Sequence, residues 1–122
     1  MKKNELSLET LDKDLRTAVE ACQEKKAADI LILDLKGLAS FTDYFLICTG
    51  TSNRQLKTIV DEIEETVATM KRKPVHKEGY PRGEWILMDY VDFVVHVFTT
   101  SSRVYYDLDR LWGDAGRLAV AS

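Results

Sequence analysis

The fold of this chain is decided by the stretch from Gly83 to Trp112, which reads GEWILMDYVDFVVHVFTTSSRVYYDLDRLW. Its two apolar runs, at 85–88 and 93–98, are separated by four residues that begin and end with Asp, which predicts two adjacent antiparallel strands joined by a tight turn. The second run is apolar at every position except His96, a pattern that is typical of a strand covered on both faces. We therefore expect this hairpin to form the middle of a sheet.

The residues that follow the hairpin predict a helix packed on it. Apolar side chains recur there at helical spacing, at Val104, Leu108, Leu111 and Trp112. A serine of the run 99–102 can cap the start of this helix, and Gly113 can end it. This unit is thus predicted to supply two strands and the helix that covers them.

The rest of the chain predicts an α/β fold in which helices flank a mixed β-sheet. The elements before the hairpin are a helix that Ser7 caps, buried strands at 30–33 and 44–49, a helix with a capping box from Ser52 to Gln55, and a short edge strand at 74–77. The predicted order is α-β-β-α-β-β-β-α. Residues 114–122 are small and weakly patterned, so we expect them to fray.

Length and composition limit the class of protein. A chain of 122 residues fits one domain, residues 1–122, that buries a core without metals or disulfides. A net charge of −3 argues against a protein that coats nucleic acid electrostatically. No apolar window is long enough for a membrane span, so we expect a soluble, cytoplasmic protein. Cys22 and Cys48 lie in apolar patterns without CxxC spacing and are interpreted as reduced packing thiols.

A turn at Gly50-Thr51-Ser52 suggests one chemical function. It lies between a strand and a helix, where free backbone N–H groups can hold a phosphate. Together with the carboxylates of Asp89 and Asp92, it has the composition of a Mg²⁺-dependent nucleotidyltransferase site. The spacing counts against that site, because the two carboxylates lie three apart across a turn and far along the chain from Ser52. Both a transferase site using Ser52, Asp89 and Asp92 and a plain helix cap with turn carboxylates stay open.

Aromatic and basic residues in the second half of the chain suggest binding. Aromatic residues are plentiful between 85 and 112, and exposed Trp or Tyr beside Asp and Arg is the composition of a protein-binding hot spot. His96, alone in an apolar strand without a nucleophile, is interpreted as a hydrogen-bonded core residue. A basic cluster fits either a solvated helix end or a minor contact with RNA, and consists of Lys71, Arg72, Lys73, Lys77 and Arg82.

Three blocks of sequence occur in a fixed order along the chain. They are TDYFLICTGTS at 42–52, WILMDYVD at 85–92 with VHVF at 95–98, and RVYYDLDRLW at 103–112. With the lengths between them, these blocks closely resemble the ribosomal silencing factor (RsfS, Iojap-like) family. The resemblance implies a nucleotidyltransferase-like α/β fold that lacks a working transferase site, and hence no catalytic residue, cofactor or metal. That implication agrees with the carboxylate spacing.

The resemblance also implies a function and a surface. Family members bind the fourteenth protein of the large ribosomal subunit on the face that meets the small subunit, which keeps the subunits apart and lowers translation when nutrients are scarce. The implied contact surface in this chain consists of Trp85, Leu87, Asp89 and Tyr90, with Asp92 and Arg103 nearby. A homodimer of the free protein is implied as well. Many relatives have Gly at position 91, and Val there disfavours the positive φ of a type I′ turn.

Three function hypotheses follow, of which the third is direct binding of RNA through the basic residues from Lys71 to Lys77. The first is a non-enzymatic binding factor whose apolar and aromatic side chains dock on the ribosomal protein, while its acidic residues pair with the partner's basic surface. The second is the nucleotidyltransferase with Ser52, Asp89 and Asp92. The first requires exposed aromatic side chains at Trp85 and Tyr90, and the second requires its three polar side chains to converge on a metal ion.

Overall fold

One six-stranded mixed sheet organises the structure, a computed structural model that describes residues 6–122. The strands are β1 (Ala28–Asp34), β2 (Tyr44–Gly50), β3 (His76–Glu78), β4 (Trp85–Asp89), β5 (Phe93–Thr99) and β6 (Gly116–Val120). Their order across the sheet is β3-β4-β5-β2-β1-β6. β2 and β5 pair in parallel, and the other neighbouring strands pair antiparallel.

The predicted central position holds for β5 and is wrong for β4. β5 lies between β4 and β2 and is buried along its whole apolar run. β4 has only the three-residue β3 between it and the edge of the sheet. Burial along β4 alternates from residue to residue, as expected for a strand with one face packed and the other partly open to solvent.

Two long helices cover one face of the sheet, which we call the inner face. α1 (Lys13–Glu24) and α2 (Asn53–Ala68) pack on each other and bury their apolar stripes against the strands. Ser52 caps α2 as predicted, because its hydroxyl accepts a hydrogen bond of 3.1 Å from the Gln55 N–H. The predicted α/β class, with helices flanking a mixed sheet, is thus confirmed. Within the described residues, none of the helices combines the length and apolar character that a membrane crossing requires.

The first helix begins later than the sequence predicts. Ser7 precedes a short 3-10 turn (Leu8–Thr10), and α1 starts only at Lys13. The reason is local, since Leu11 has extended backbone dihedrals that end the turn before the helix begins. The side chain of Leu11 still packs in the core of the inner face, so the apolar pattern located a buried residue but misplaced the helix start.

The two cysteines lie in the inner core as free, buried thiols, as the sequence predicts. The Sγ atoms of Cys22 on α1 and Cys48 on β2 are 3.8 Å apart. The hydrogen bond to Cys48 and burial raise the pKa of the Cys22 thiol well above its ordinary value. Both side chains therefore act as small apolar groups between the helix and the sheet.

The C-terminal residues form a strand, so the prediction that 114–122 fray is wrong for most of that range. β6 pairs antiparallel with β1, with Val120 opposite Ile30. Leu118 and Val120 pack against the inner core. The sequence gives little sign of this strand because β6 is short, lies at the sheet edge and leaves its other residues exposed.

The helix predicted after the hairpin is divided in two. α3 (Thr100–Tyr106) ends where Asp107 adopts a left-handed φ of +50°, and α4 (Leu108–Leu111) follows. The side chain of Thr99, rather than a serine, caps α3 by accepting a hydrogen bond from the Ser102 N–H.

Both short helices lie on the second side of the sheet, which we call the outer face. They bury Leu108, which is 9% exposed, but leave Val104 and Leu111 exposed at 73% and 70%. The predicted covering helix therefore protects only part of this face. Val104 on α3 and Leu111 on α4 lie on the sides of their helices that face away from the sheet.

Candidate partner-binding face

The outer face carries three of the implied contact residues. Strand alternation places Trp85, Leu87 and Asp89 on one side of β4, and each is half-buried. Trp85 and Leu87 pack at the margin of an apolar cluster on the outer face. Ile86 and Met88 point the other way, into the inner core. The hairpin thus presents one packed side and one partly accessible side.

Trp85 is held by three neighbours on the outer face. Its indole N–H donates a hydrogen bond of 3.1 Å to Nδ1 of His96. Its ring stacks on Phe98 and contacts Tyr106, with ring centroids 5.0 and 4.4 Å away. A large side chain whose rotamer is already fixed loses little conformational entropy on binding. The orientation of the Trp85 side chain is therefore fixed in the free chain.

His96 is a neutral hydrogen-bonded side chain inside the outer face, as the sequence predicts. It is 4% exposed, and burial lowers the pKa of its imidazole to about 3. Because Nδ1 accepts the Trp85 indole proton, the single ring proton must lie on Nε2. Its ring also meets Phe45 edge-on, with centroids 4.4 Å apart.

Exposed aromatic side chains extend the surface around Trp85. Tyr105 is 80% exposed and Tyr106 is 47% exposed, and their rings lie 4.9 Å apart. On the far side of Phe45, Phe41 is 59% exposed. Apolar surface that remains accessible in this way commonly marks an interaction site.

Tyr90 does not belong to this face, so its expected role as an exposed contact residue is wrong. It is 1% exposed, and its ring stacks on Phe93 in the inner core. The reason is the two-residue period of the strand, since Ile86 and Met88 point inward and position 90 continues their side. Burial raises the pKa of the Tyr90 hydroxyl to about 12.

Asp92, at the tip of the hairpin, is already paired within the chain. Arg72 donates hydrogen bonds of 2.8 Å to Asp92 and to Asp14, and another to the Tyr90 carbonyl oxygen. The carboxylates of Asp92 and Asp14 raise the pKa of the Arg72 guanidinium. We call these four residues the Arg72 clamp. The clamp ties α1 to the hairpin tip, and it shows that Arg72 of the basic cluster is paired with carboxylates of its own chain.

Arg103 is also paired, at the opposite end of the sheet. Its guanidinium donates to both carboxylate oxygens of Asp109, at 3.0 and 3.1 Å, to the Thr49 hydroxyl and to the Asp29 carbonyl oxygen. The seven residues of β5, about 20 Å of strand, separate it from Asp92. Asp92 and Arg103 therefore do not form one patch beside Trp85.

The residues of the transferase hypothesis lie at opposite ends of the sheet. Ser52 follows the C-terminal end of β2. Asp89 and Asp92 flank the N-terminal end of β5, which runs parallel to β2, so a seven-residue strand, about 20 Å long, separates them from Ser52. The three side chains cannot share one Mg²⁺ ion. Across residues 6–122, His, Cys, Asp and Glu form no group of three or more that could hold a metal ion.

The end of the sheet near Ser52 has a cleft of about 910 Å³, but its polar groups do not rebuild the transferase site. Its lining includes Ser52, Thr100 and Ser101, at the starts of α2 and α3. The Ser52 hydroxyl already caps α2, so the plain helix cap accounts for this residue.

Known proteins identify the family to which this arrangement belongs. The family model described as "Ribosomal silencing factor during starvation" matches residues 8–122. The ribosomal silencing factor RsfS of Bacillus subtilis is 44% identical over 101 residues, which are 83% of this chain and 86% of that protein. The chain belongs to the ribosomal silencing factor family. The resemblance of the three sequence blocks is thereby confirmed.

Two further relatives extend the ribosomal silencing factor comparison. A crystal structure of a Chromobacterium violaceum protein superposes with a TM-score of 0.81 at 34% identity and covers 88% of each chain. The mouse protein named "Mitochondrial assembly of ribosomal large subunit protein 1" is 28% identical over 102 residues, 81% of this chain and 45% of the mouse protein. The fold and the sequence thus point to the same family.

Sequence reasoning for this ribosomal silencing factor missed part of the outer face. It selected Trp85 but not His96, Phe98 and Tyr106, the side chains that fix its orientation. The sequence does indicate that His96 and Phe98 lie on the same face of β5, because they are two residues apart on a strand. Their pairing opposite Leu87 and Trp85 depends on strand register, which the sequence alone does not reveal.

Proposed function

We propose that this chain binds the large ribosomal subunit through its outer face, with the fourteenth protein of that subunit as its partner. Bound there, the chain physically prevents the small subunit from joining and so represses translation. Family membership supports a ribosomal partner. The name of the mouse relative supports the choice of the large subunit. The observation that carries the proposal is the half-buried Trp85, held in place beside exposed tyrosines.

The chemistry of the outer face fits a basic protein partner. Trp85 and Leu87 offer an apolar centre, and aromatic side chains of this kind dominate the binding energy of many interfaces. Asp89 and Glu84 stand near the two ends of the same strand, and the net charge of the chain is −3. Acidic groups around an apolar centre favour and orient the approach of a basic surface.

The proposed activity is steric and needs no catalytic group. Binding blocks the subunit interface by occupancy alone, so its strength depends on the affinity for the large subunit. We further propose that the free protein is a cytoplasmic homodimer. We also propose that it acts when nutrients are limiting, since the family description names starvation. Lys73 belongs to the basic cluster that would supply a minor contact with ribosomal RNA.

Replacing the aromatic anchor tests this proposal. We expect Trp85→Ala to weaken binding to purified large subunits by about 30-fold, because a hot-spot residue contributes roughly 2 kcal/mol or more. The measurement is co-sedimentation with large subunits through a sucrose gradient over a range of protein concentrations. Val75→Ala is the matched control, since Val75 is an exposed apolar residue, 68% accessible, that precedes β3 away from the outer face.

The same variants test the block on subunit joining. Wild-type protein and the Val75→Ala control should reduce the peak of joined ribosomes when small subunits are added, and Trp85→Ala should not. Urea unfolding of each variant confirms that the proteins compared are folded. Unchanged co-sedimentation of a folded Trp85→Ala variant would show that the proposed surface is wrong.

A further inference from the structure

The outer face contains one polar side chain whose place is costly for the fold. His96 lies between Phe45 and Phe98 in an otherwise apolar cluster and is 4% exposed. Its Nδ1 atom accepts the indole proton of Trp85 at 3.1 Å. Its Nε2 atom has no hydrogen-bond partner among the described residues. A buried donor without an acceptor destabilises a protein, so an apolar ring at this position would suit the core better.

The hydrogen bond from Trp85 gives this histidine a second role, which is to orient the indole ring. Phe98 stacks on the indole plane and the tilted ring of Tyr106 contacts it, but contacts between aromatic rings allow them to slide and turn at low cost. A directed N–H···N bond fixes the remaining freedom, the direction in which the edge of the indole points. The accessible side of the Trp85 ring is thereby held in one orientation.

We propose that His96 is a positioning residue for partner binding, whose Nδ1 atom holds the Trp85 indole in the orientation that the partner meets. The inference rests on the proposed function, because it assumes that Trp85 contacts the partner. Pre-organisation of this kind raises affinity, since the ordering of the side chain has already occurred in the free protein. Residues that serve binding at the expense of stability are common in functional sites.

Two substitutions separate positioning from packing. His96→Phe keeps a ring and removes both the acceptor and the unpartnered Nε2 donor. The indole N–H of Trp85 then loses its acceptor, but because this ring is only half-buried it can turn the N–H toward solvent. His96→Asn loses the ring but places an amide oxygen where Nδ1 stands, so that it can still accept the indole proton. If His96 only fills space, the Phe variant should be at least as stable as the Asn variant and should bind the partner at least as tightly. If His96 positions Trp85, the Phe variant should be the more stable of the two and the Asn variant should bind more tightly.

The expected results follow from these two roles. His96→Phe should unfold at the same or a higher urea concentration than the wild type, yet bind large subunits about fivefold to tenfold more weakly, the loss expected for one oriented hydrogen bond. His96→Asn should unfold at a lower urea concentration and recover most of the affinity. The NMR signal of the Trp85 indole N–H, assigned with Trp85→Phe, should move upfield in His96→Phe and stay near its wild-type position in His96→Asn.

Trp85→Ala distinguishes failure of this inference from failure of the proposed function. Loss of binding in Trp85→Ala with wild-type binding in His96→Phe would overturn the positioning role and leave the proposed surface intact. Wild-type binding in both variants would overturn both. Equal losses of affinity in the Phe and Asn variants would also overturn the positioning role, because binding would then follow the imidazole ring and not the acceptor.

Discussion

At the scale of single residues, Tyr90 shows which part of the site the sequence could not assign. Composition identified the aromatic residues of the hairpin, but exposure depends on which side of the sheet each one occupies. Two inward neighbours, Ile86 and Met88, fix the side of position 90, and α2 covers that side. The sequence predicted both helices, yet it did not reveal that both long helices lie on the same face. Trp85 and Tyr90 were therefore assigned together although the sheet separates them.

The buried Tyr90 hydroxyl predicts a specific loss of stability at high pH. Burial and the charge of Glu64 raise the pKa of this phenol from an ordinary 10.0 to about 12. The neutral phenol is favoured in the folded state, so its contribution is complete below pH 10 and is lost as pH rises toward 12. Relative to Tyr90→Phe, the wild type should lose about 1.4 kcal/mol of unfolding free energy between pH 8 and pH 11.

Urea unfolding of both proteins at the two pH values measures this difference. At pH 8, Tyr90→Phe should be as stable as the wild type or more so, because the buried hydroxyl has no hydrogen-bond partner among residues 6–122. Tyr105→Phe, at a ring that is 80% exposed, controls for the loss of a tyrosine hydroxyl. A constant difference between wild type and Tyr90→Phe from pH 8 to pH 11 would contradict the argument.

At the scale of elements, the quality of prediction follows the strength of the local signal. α2 combines a capping serine with a long apolar stripe and was predicted closely. β6 has only two side chains that reach the inner core, Leu118 and Val120, and it is held in place by pairing with β1, a contact between distant parts of the chain. α3 ends at Asp107, which has a positive φ that the pattern of apolar residues does not predict. Elements that depend on tertiary contacts are therefore the ones that the sequence misplaced.

The turn between β4 and β5 is a strained element that can be improved. Val91 adopts a φ of +78°, and the Asp92 N–H donates to the Tyr90 carbonyl oxygen at 3.0 Å, as in a γ-turn. A β-branched residue resists this conformation, which glycine adopts freely. We expect Val91→Gly to increase the free energy of unfolding by about 1 kcal/mol, the relief of strain exceeding the entropy cost of glycine.

Urea unfolding of the turn variants provides the measurement. Val91→Ala retains a Cβ atom at the same positive φ, so its free energy of unfolding should increase less than that of the glycine variant. Because Val91 is 57% exposed, neither change removes much buried apolar surface. A Val91→Gly protein less stable than the wild type would show that the turn is not strained.

At the scale of the whole molecule, the sheet places the Arg72 clamp and Trp85 on opposite faces. The Arg72 clamp joins α1 and the end of α2 to the hairpin tip from the inner side of the sheet. Trp85 lies at the far end of β4, five residues or about 15 Å of strand away, on the outer face. The two groups have no residue in common. A change at the clamp should therefore leave binding through Trp85 unaltered.

Removal of the clamp tests this separation. Arg72→Ala should lower the free energy of unfolding by about 2–3 kcal/mol, because it breaks several charge-assisted hydrogen bonds to partly buried carboxylates. The free energy of unfolding of Arg72→Lys should lie between those of the wild type and Arg72→Ala, since lysine keeps the charge but lacks the planar guanidinium. The folded Arg72→Ala protein should bind large subunits with wild-type affinity. In the double variant with Trp85→Ala, the two losses of unfolding free energy should add to within about 0.5 kcal/mol. A larger interaction energy, or a loss of affinity in Arg72→Ala alone, would mean that the hairpin transmits changes between its two faces.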